Sequence, residues 1–129
     1  MNTENSLYEA AQKAADNAYA PYSQFKVGCA VLSTKGNIYS GCNVENVSYP
    51  VGTCAEAGAV AAMICGGDNQ IAAALVYADT PKLITPCGAC RQRFAEFAAP
   101  NAIIYLADAT GIRQKIPLAD ILPYAFKEL

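Results

Sequence analysis

The chain has 129 residues, of which 53% are hydrophobic and 16% charged, and its formal net charge is −2. That balance supplies a core, excludes disorder and leaves no basic stripe to displace counterions from phosphates, so a nucleic-acid partner is not expected. The longest apolar runs, Ala57–Cys65 and Ile71–Ala78, fall far short of the ~20 residues of a bilayer span. The opening Met-Asn-Thr-Glu-Asn lacks the pattern of a secretory signal, so a cytoplasmic protein with no membrane partner is expected.

No linker, repeat or composition shift divides the chain, which predicts one domain over residues 1–129. Ser6-Leu7-Tyr8-Glu9 has the form of a capping box, and Leu7, Ala11, Ala14 and Ala18 mark one face of a helix that ends before Pro21. Phe25–Thr34 reads as a strand, turned by Lys35-Gly36 into a second strand, Asn37–Asn46. After a loop with Pro50 and Gly52, the alanine-rich Cys54–Cys65 reads as a helix stopped at Gly66-Gly67. Ile71–Ala78 is continuously apolar, as in a strand covered on both faces. Thr85-Pro86 predicts an N-cap and first turn for a helix running to about Phe97. Ala102–Ala107 reads as another buried strand and Pro117–Phe126 as a short closing helix. An α/β fold follows, a three-layer α/β/α sandwich on a mixed sheet, with its site where strands end and helices begin.

Six cysteines and no histidine restrict the chemistry further. Ser-His, Cys-His and His-ligated metal mechanisms are closed to this chain acting alone. In a reducing compartment, clustered cysteines point to a metal rather than to disulfides. Two segments stand out, Thr53-Cys54-Ala55-Glu56 and Pro86-Cys87-Gly88-Ala89-Cys90, both at predicted helix starts. Side chains of a first turn lean toward the helix N-terminus, and the free amides there stabilise thiolates. Cys54, Cys87 and Cys90 can thus make a tetrahedral zinc site with one position open, the mark of a catalytic zinc that acidifies a bound water. Glu56 stands beside it as general acid–base.

Two other readings remain at this point. A closed four-thiolate site would need Cys29, Cys42 or Cys65, which sit where cysteine usually serves as a small hydrophobe. A redox Cys-x-x-Cys pair would leave Cys54 and Glu56 without a role. The ordered set Cys-x-Glu followed by Pro-Cys-x-x-Cys matches the zinc deaminase signature in its all-cysteine form.

The chain resembles the small homotetrameric cytidine deaminases that act on free nucleosides. The resemblance rests on Pro21-Tyr22-Ser23-Gln24-Phe25-Lys26-Val27-Gly28, on Gly41-Cys42-Asn43-Val44-Glu45-Asn46, on the two cysteine segments, and on Leu122-Pro123 with Phe126. It implies a five-stranded mixed sheet, one zinc per chain on Cys54, Cys87 and Cys90, and proton transfer by Glu56. It further implies that Phe25 lies against the pyrimidine ring, that Asn43 and Glu45 bind the ribose 3′-hydroxyl, and that the Ala55 amide meets the base carbonyl. Tyr49 and Phe126 are implied contacts to a neighbouring subunit's pocket. The family usually continues Cys-Ala-Glu with an arginine that hydrogen-bonds the zinc thiolates, whereas this chain has Ala57. The negative charge of a three-thiolate zinc must then be offset by the helix ends, Arg91, Arg93 or a neighbouring subunit.

The expected activity is hydrolytic deamination of cytidine and 2′-deoxycytidine to the uridine nucleosides and ammonia, a pyrimidine salvage reaction. A deaminase of another aminopyrimidine nucleoside or nucleoside antibiotic is the rival within this fold. A non-catalytic zinc module is the rival from another class.

Overall fold

The computed structural model describes residues 2–129, so only Met1 of the expected domain lies outside it. Helix α1 spans Thr3–Asp16 and is capped by Asn2, whose side chain accepts the Glu4 amide at 2.7 Å. The expected capping box at Ser6 is therefore not the helix start: an asparagine four residues earlier satisfies the first turn. The face turned to the sheet is Leu7, Ala11 and Ala15, with Ala18 buried just beyond the helix end. Ala15 thus takes the place predicted for Ala14.

Strands β1 (Val27–Ser33) and β2 (Ile38–Cys42) form an antiparallel hairpin, followed by a 3-10 turn at Tyr49–Val51 and helix α2, Ala55–Cys65. Both strands are shorter than predicted, because the chain beyond Cys42 leaves the sheet and Val44 bridges Tyr19 and Thr53 instead. Strand β3 (Ile71–Ala78) has the predicted limits. Helix α3, Gly88–Phe97, is two residues shorter at its start than predicted: Cys87, not Thr85, is its N-cap. Strand β4 (Ala98–Asp108) follows at once.

The closing segment corrects the sequence reading. In place of a helix over Pro117–Phe126, the chain forms strand β5, Gly111–Pro117, and a short 3-10 helix, Leu118–Ile121. A tight turn at Gly111 (φ 127°) folds β5 back on β4. Only Ile112 and Ile116 of β5 are apolar enough to pack inward, so an edge strand with an exposed middle carries little periodic signal.

The sheet order is β2-β1-β3-β4-β5, with β3 and β4 parallel and all other pairs antiparallel. Strand residues divide between two cores. Cys29, Val31, Ala74, Val76, Ile104 and Leu106 face α2 and α3, together with Ala59, Met63 and Phe94. Ala30, Ala73, Leu75, Tyr77 and Tyr105 face Leu7, Ala11 and Ala15 of α1.

Two glycines set how closely the layers approach. A Cβ on Gly28 would lie 1.9 Å from the Ala11 carbonyl oxygen, and one on Gly41 would lie 2.4 Å from the Ala59 amide nitrogen. Only glycine lets backbone meet backbone there. Gly41 thereby seats the first half of α2 on β2 and fixes where Cys54 and Glu56 emerge. Among the described residues no helix is long and apolar enough to cross a membrane.

Candidate active site

Helices α2 and α3 both follow turns whose last residue is a cysteine. Cys54 caps α2 with extended backbone and Cys87 caps α3 likewise, neither with a regular side-chain cap hydrogen bond. Cap position puts each sulfur beside the N-terminus of its own helix. Cys90, one turn into α3, is fully buried.

Cys54 Sγ, Cys90 Sγ and a Glu56 carboxylate oxygen lie within 4.8 Å of one another. The two sulfurs are 3.0 Å apart. Cys87, exposed, is not in that group of three. The Cys90 and Ala89 amides at the start of α3 face its sulfur and pull the thiol below its ordinary pKa. Cys90 behaves oppositely: burial, then Cys54 and Glu56 beside it, push its thiol up. A buried set of acids crowded this way suits a cation. Sulfur donors also fit zinc, which holds thiolates at about 2.3 Å in a tetrahedron, with sulfurs roughly 3.7 Å apart.

Glu56 is only 5% exposed and sits in the first turn of α2. Burial raises its pKa, opposed by its own backbone amide, by Cys90 and by Arg93. A carboxyl lifted in this way can hold a proton closer to neutral pH. Ala55, fully buried, opens α2, so its amide is among those that a helix leaves without an intrahelical partner.

The other cysteines are not in the group of three. Cys29 is buried on β1, where loss of water, and then the neighbouring Glu56, Cys90 and Cys54, drive its thiol well up. Cys42 is half-buried, and Cys65 is exposed at the end of α2, contrary to the apolar setting expected of it.

An open cleft of about 460 Å³ leads to Cys54, lined also by Tyr22, Ser23, Asn43, Glu45 and Tyr49. Its volume suits a small organic ligand. Glu45 Oε1 accepts the Tyr22 and Ser23 amides at 3.0 and 3.1 Å, and Oε2 accepts the Ser23 hydroxyl. The Ser23 hydroxyl, followed by the two amides, holds the Glu45 carboxyl below its usual range. The same hydroxyl oxygen accepts the Phe25 amide at 3.0 Å. Asn43 reaches the other side of this loop, accepting the Val27 amide at 2.8 Å and donating to the Phe25 carbonyl at 2.7 Å.

Each of these side chains keeps capacity for one more partner, since a carboxylate has about four acceptor sites and a side-chain amide about four in all. Phe25 is itself 38% exposed and lies outside the cleft lining. Tyr49 lines its own chain's cleft and meets Tyr22 edge-on, ring centroids 6.0 Å apart. Phe126 is exposed and away from the cleft, its carbonyl accepting from Gln92. Sequence reasoning left undecided which arginine serves the thiols, and it missed Ser23 as a link between Glu45 and Phe25. Ser23 lay within the matched Pro21–Gly28 segment, but a hydroxyl's partner is set by the turn, which no spacing reports.

A three-layer sandwich that brings thiols from two helix starts together with a buried carboxyl defines a zinc-binding deaminase fold. The chain belongs to the cytidine and deoxycytidylate deaminase family: residues 1–106 match that family's zinc-binding region. It is 41% identical to the cytidine deaminase of Sporosarcina psychrophila over 128 residues, 99% of this chain and 93% of that one. The crystal structure of cytidine deaminase from Burkholderia pseudomallei superposes with a TM-score of 0.90 at 41% identity, covering 97% of this chain and all of that one. The enzyme from Mycobacterium tuberculosis gives 0.83 at 37% identity over 99% of this chain and 100% of that one.

Proposed function

We propose that this chain, acting as one domain, catalyses the hydrolytic deamination of cytidine and 2′-deoxycytidine, with Cys54, Cys87 and Cys90 holding zinc and Glu56 moving protons. The observation that carries this reading is the buried Glu56 carboxyl within 4.8 Å of the Cys54 and Cys90 sulfurs. Zinc, when bound there, supplies Lewis acidity and an acidified water.

The chain's own groups do the rest. Glu56 takes up a proton at its carboxylate and gives it to ring N3, which weakens the aromatic system at C4 where water oxygen adds. It then carries a second proton to the departing amine, so that nucleoside and water become the uridine nucleoside and ammonia. The Ala55 amide donates to the base carbonyl. The free Asn43 amide hydrogen donates to the ribose 3′-hydroxyl and the Glu45 carboxylate accepts from it, and Phe25, held by the same two side chains, lies against the ring.

Val44 and Tyr49, which line the cleft, are 48 and 75% exposed. An apolar lining of that kind supports a closed homotetramer in which further copies cover the cleft, with Tyr49 and Phe126 as contacts to neighbouring pockets. Light scattering on active protein is expected to give the mass of four chains.

The deciding experiment is ammonia release from cytidine with metal content measured on the same sample. Turnover with about one zinc per chain is expected. Zinc-loaded protein without turnover would favour a non-catalytic zinc module, and turnover confined to another aminopyrimidine nucleoside would favour the rival substrate.

A further inference from the structure

Arg91 and Arg93 leave α3 in different directions. Arg91 is engaged with backbone: Nε donates to the Pro86 carbonyl at 2.8 Å and Nη1 to the Ile121 carbonyl at 2.9 Å. Arg93 turns to sulfur, its Nη1 3.5 Å from Cys90 Sγ and 4.0 Å from Cys54 Sγ. Among the described residues no carboxylate forms an ion pair with it. Arg93 and Cys90 are three residues apart and so share a face of α3, while Cys54 belongs to α2.

Charge explains why an arginine stands there. Three thiolates around a divalent zinc leave one net negative charge. Two helix starts offset part of it, each carrying roughly half an elementary charge spread over several amides. A guanidinium brings a whole charge and a planar fork of donors, and it is weakly hydrated, so it can sit half-buried against sulfur. The side chain at position 57, half-buried on α2, is an alanine methyl with neither charge nor donor.

Resting on the reading of Cys54, Cys87 and Cys90 as the zinc ligands, we propose that Arg93 is the positioning residue of the metal centre. Its guanidinium donates to the Cys54 and Cys90 sulfurs, supplies their counter-charge, and ties the start of α2 to α3. Each donated hydrogen bond withdraws electron density from a thiolate, which leaves the metal the stronger Lewis acid.

The test is zinc affinity of the full chain, measured by competition with a chromophoric chelator, alongside the spectrum of the cobalt-substituted protein. Arg93→Ala is expected to weaken zinc binding by roughly 10–100-fold, the usual cost of losing a partner of a metal ligand. Arg93→Lys should fall between the two, since it keeps the charge and loses the fork. Ala57→Arg added to Arg93→Ala should recover much of the loss, because a donor then reaches the sulfurs from α2. In the cobalt protein, Arg93→Gln should move the sulfur-to-metal charge-transfer band to longer wavelength.

An Arg93→Ala affinity within about threefold of the parent would overturn the proposal. Should Arg93→Ala fail to fold, equal affinities for the Lys and Gln variants, or an unmoved cobalt band, would overturn it as well. Cys90→Ser separates the two levels: if that variant binds zinc like the parent, the ligand assignment itself is wrong, whatever Arg93 does.

Discussion

The Asn43 side-chain amide donates to the Phe25 carbonyl at 2.7 Å, so a residue expected to meet the sugar also holds the residue expected to meet the base. Glu45 does the same from the other side, through Ser23 to the Phe25 amide. On the proposed roles, sugar and base contacts share one hydrogen-bonded loop, and preorganisation of this kind reduces what binding must order.

Loosening the loop is expected to show in substrate binding before chemistry. Ser23→Ala removes a hydrogen bond to a carboxylate, worth about 1.5–3 kcal/mol, so KM for cytidine should rise by roughly tenfold or more with kcat much less affected. Asn43→Ala should act in the same direction. Steady-state kinetics decide the point, and unchanged KM values for both variants would mean that Phe25 does not depend on them.

Glu56→Gln keeps the shape of the buried side chain and removes its proton chemistry. Metal content should stay at the parent level, while kcat falls by at least ~10²–10⁴ because several proton transfers share the group. Turnover within about tenfold of the parent would remove Glu56 from the reaction.

The six cysteines should divide cleanly under substitution. Cys54→Ser, Cys87→Ser and Cys90→Ser are each expected to lose zinc, measured by elemental analysis. Cys29→Ala, Cys42→Ala and Cys65→Ala should retain it, since none of the three stands at the start of α2 or α3. Cys87→Ser is the most informative of the set, because its sulfur stands outside the group of three. Full zinc occupancy in that variant would leave the metal with two thiolates from this chain.

Acid stability should depend on Asp68. Its Oδ2 accepts from Ser33 Oγ at 2.7 Å and from Asn37 and Tyr39 at 2.9 Å each, and Lys35 lies 3.8 Å from Oδ1. Asn37 first, then Ser33, Tyr39 and Lys35, hold its carboxyl below the usual aspartate range. A depressed folded-state pKa stabilises the fold above the unfolded value of about 4, and the contribution disappears as pH falls through the folded value. Asp68→Asn should thus lower Tm at pH 7 and flatten its fall below about pH 4. Parallel Tm-against-pH curves for the two proteins would show that Asp68 is not the titrating group.

What could be read beforehand was whatever repeats with a period or stops at a glycine. Helix α2 and strand β3 declare themselves, the first by alanines ending at Gly66 and the second by eight unbroken apolar positions. The two cysteine segments marked helix starts, and the structure does begin α2 and α3 directly after Cys54 and Cys87. β5 was not, since an edge strand with exposed Arg113, Gln114 and Lys115 has no alternation to detect. Nor could the sequence tell Arg91 from Arg93. Two residues apart on one helix, they diverge by roughly 200° around its axis, and tertiary neighbours decide which one meets sulfur.

Helix α2 has Cys54 and Glu56 at its start and the Asp68 cluster just past its last turn, where the Asp68 amide donates to the Met63 carbonyl at 3.1 Å. Eleven helical residues, about 16 Å, separate the two. The molecule thus has a working pole and an anchoring pole joined by one rod. Change at the anchoring pole tunes the temperature at which the fold survives, and change at the working pole tunes rate and substrate choice. Substitutions around Asp68 are therefore expected to shift Tm while leaving the geometry of Cys54 and Glu56 in place.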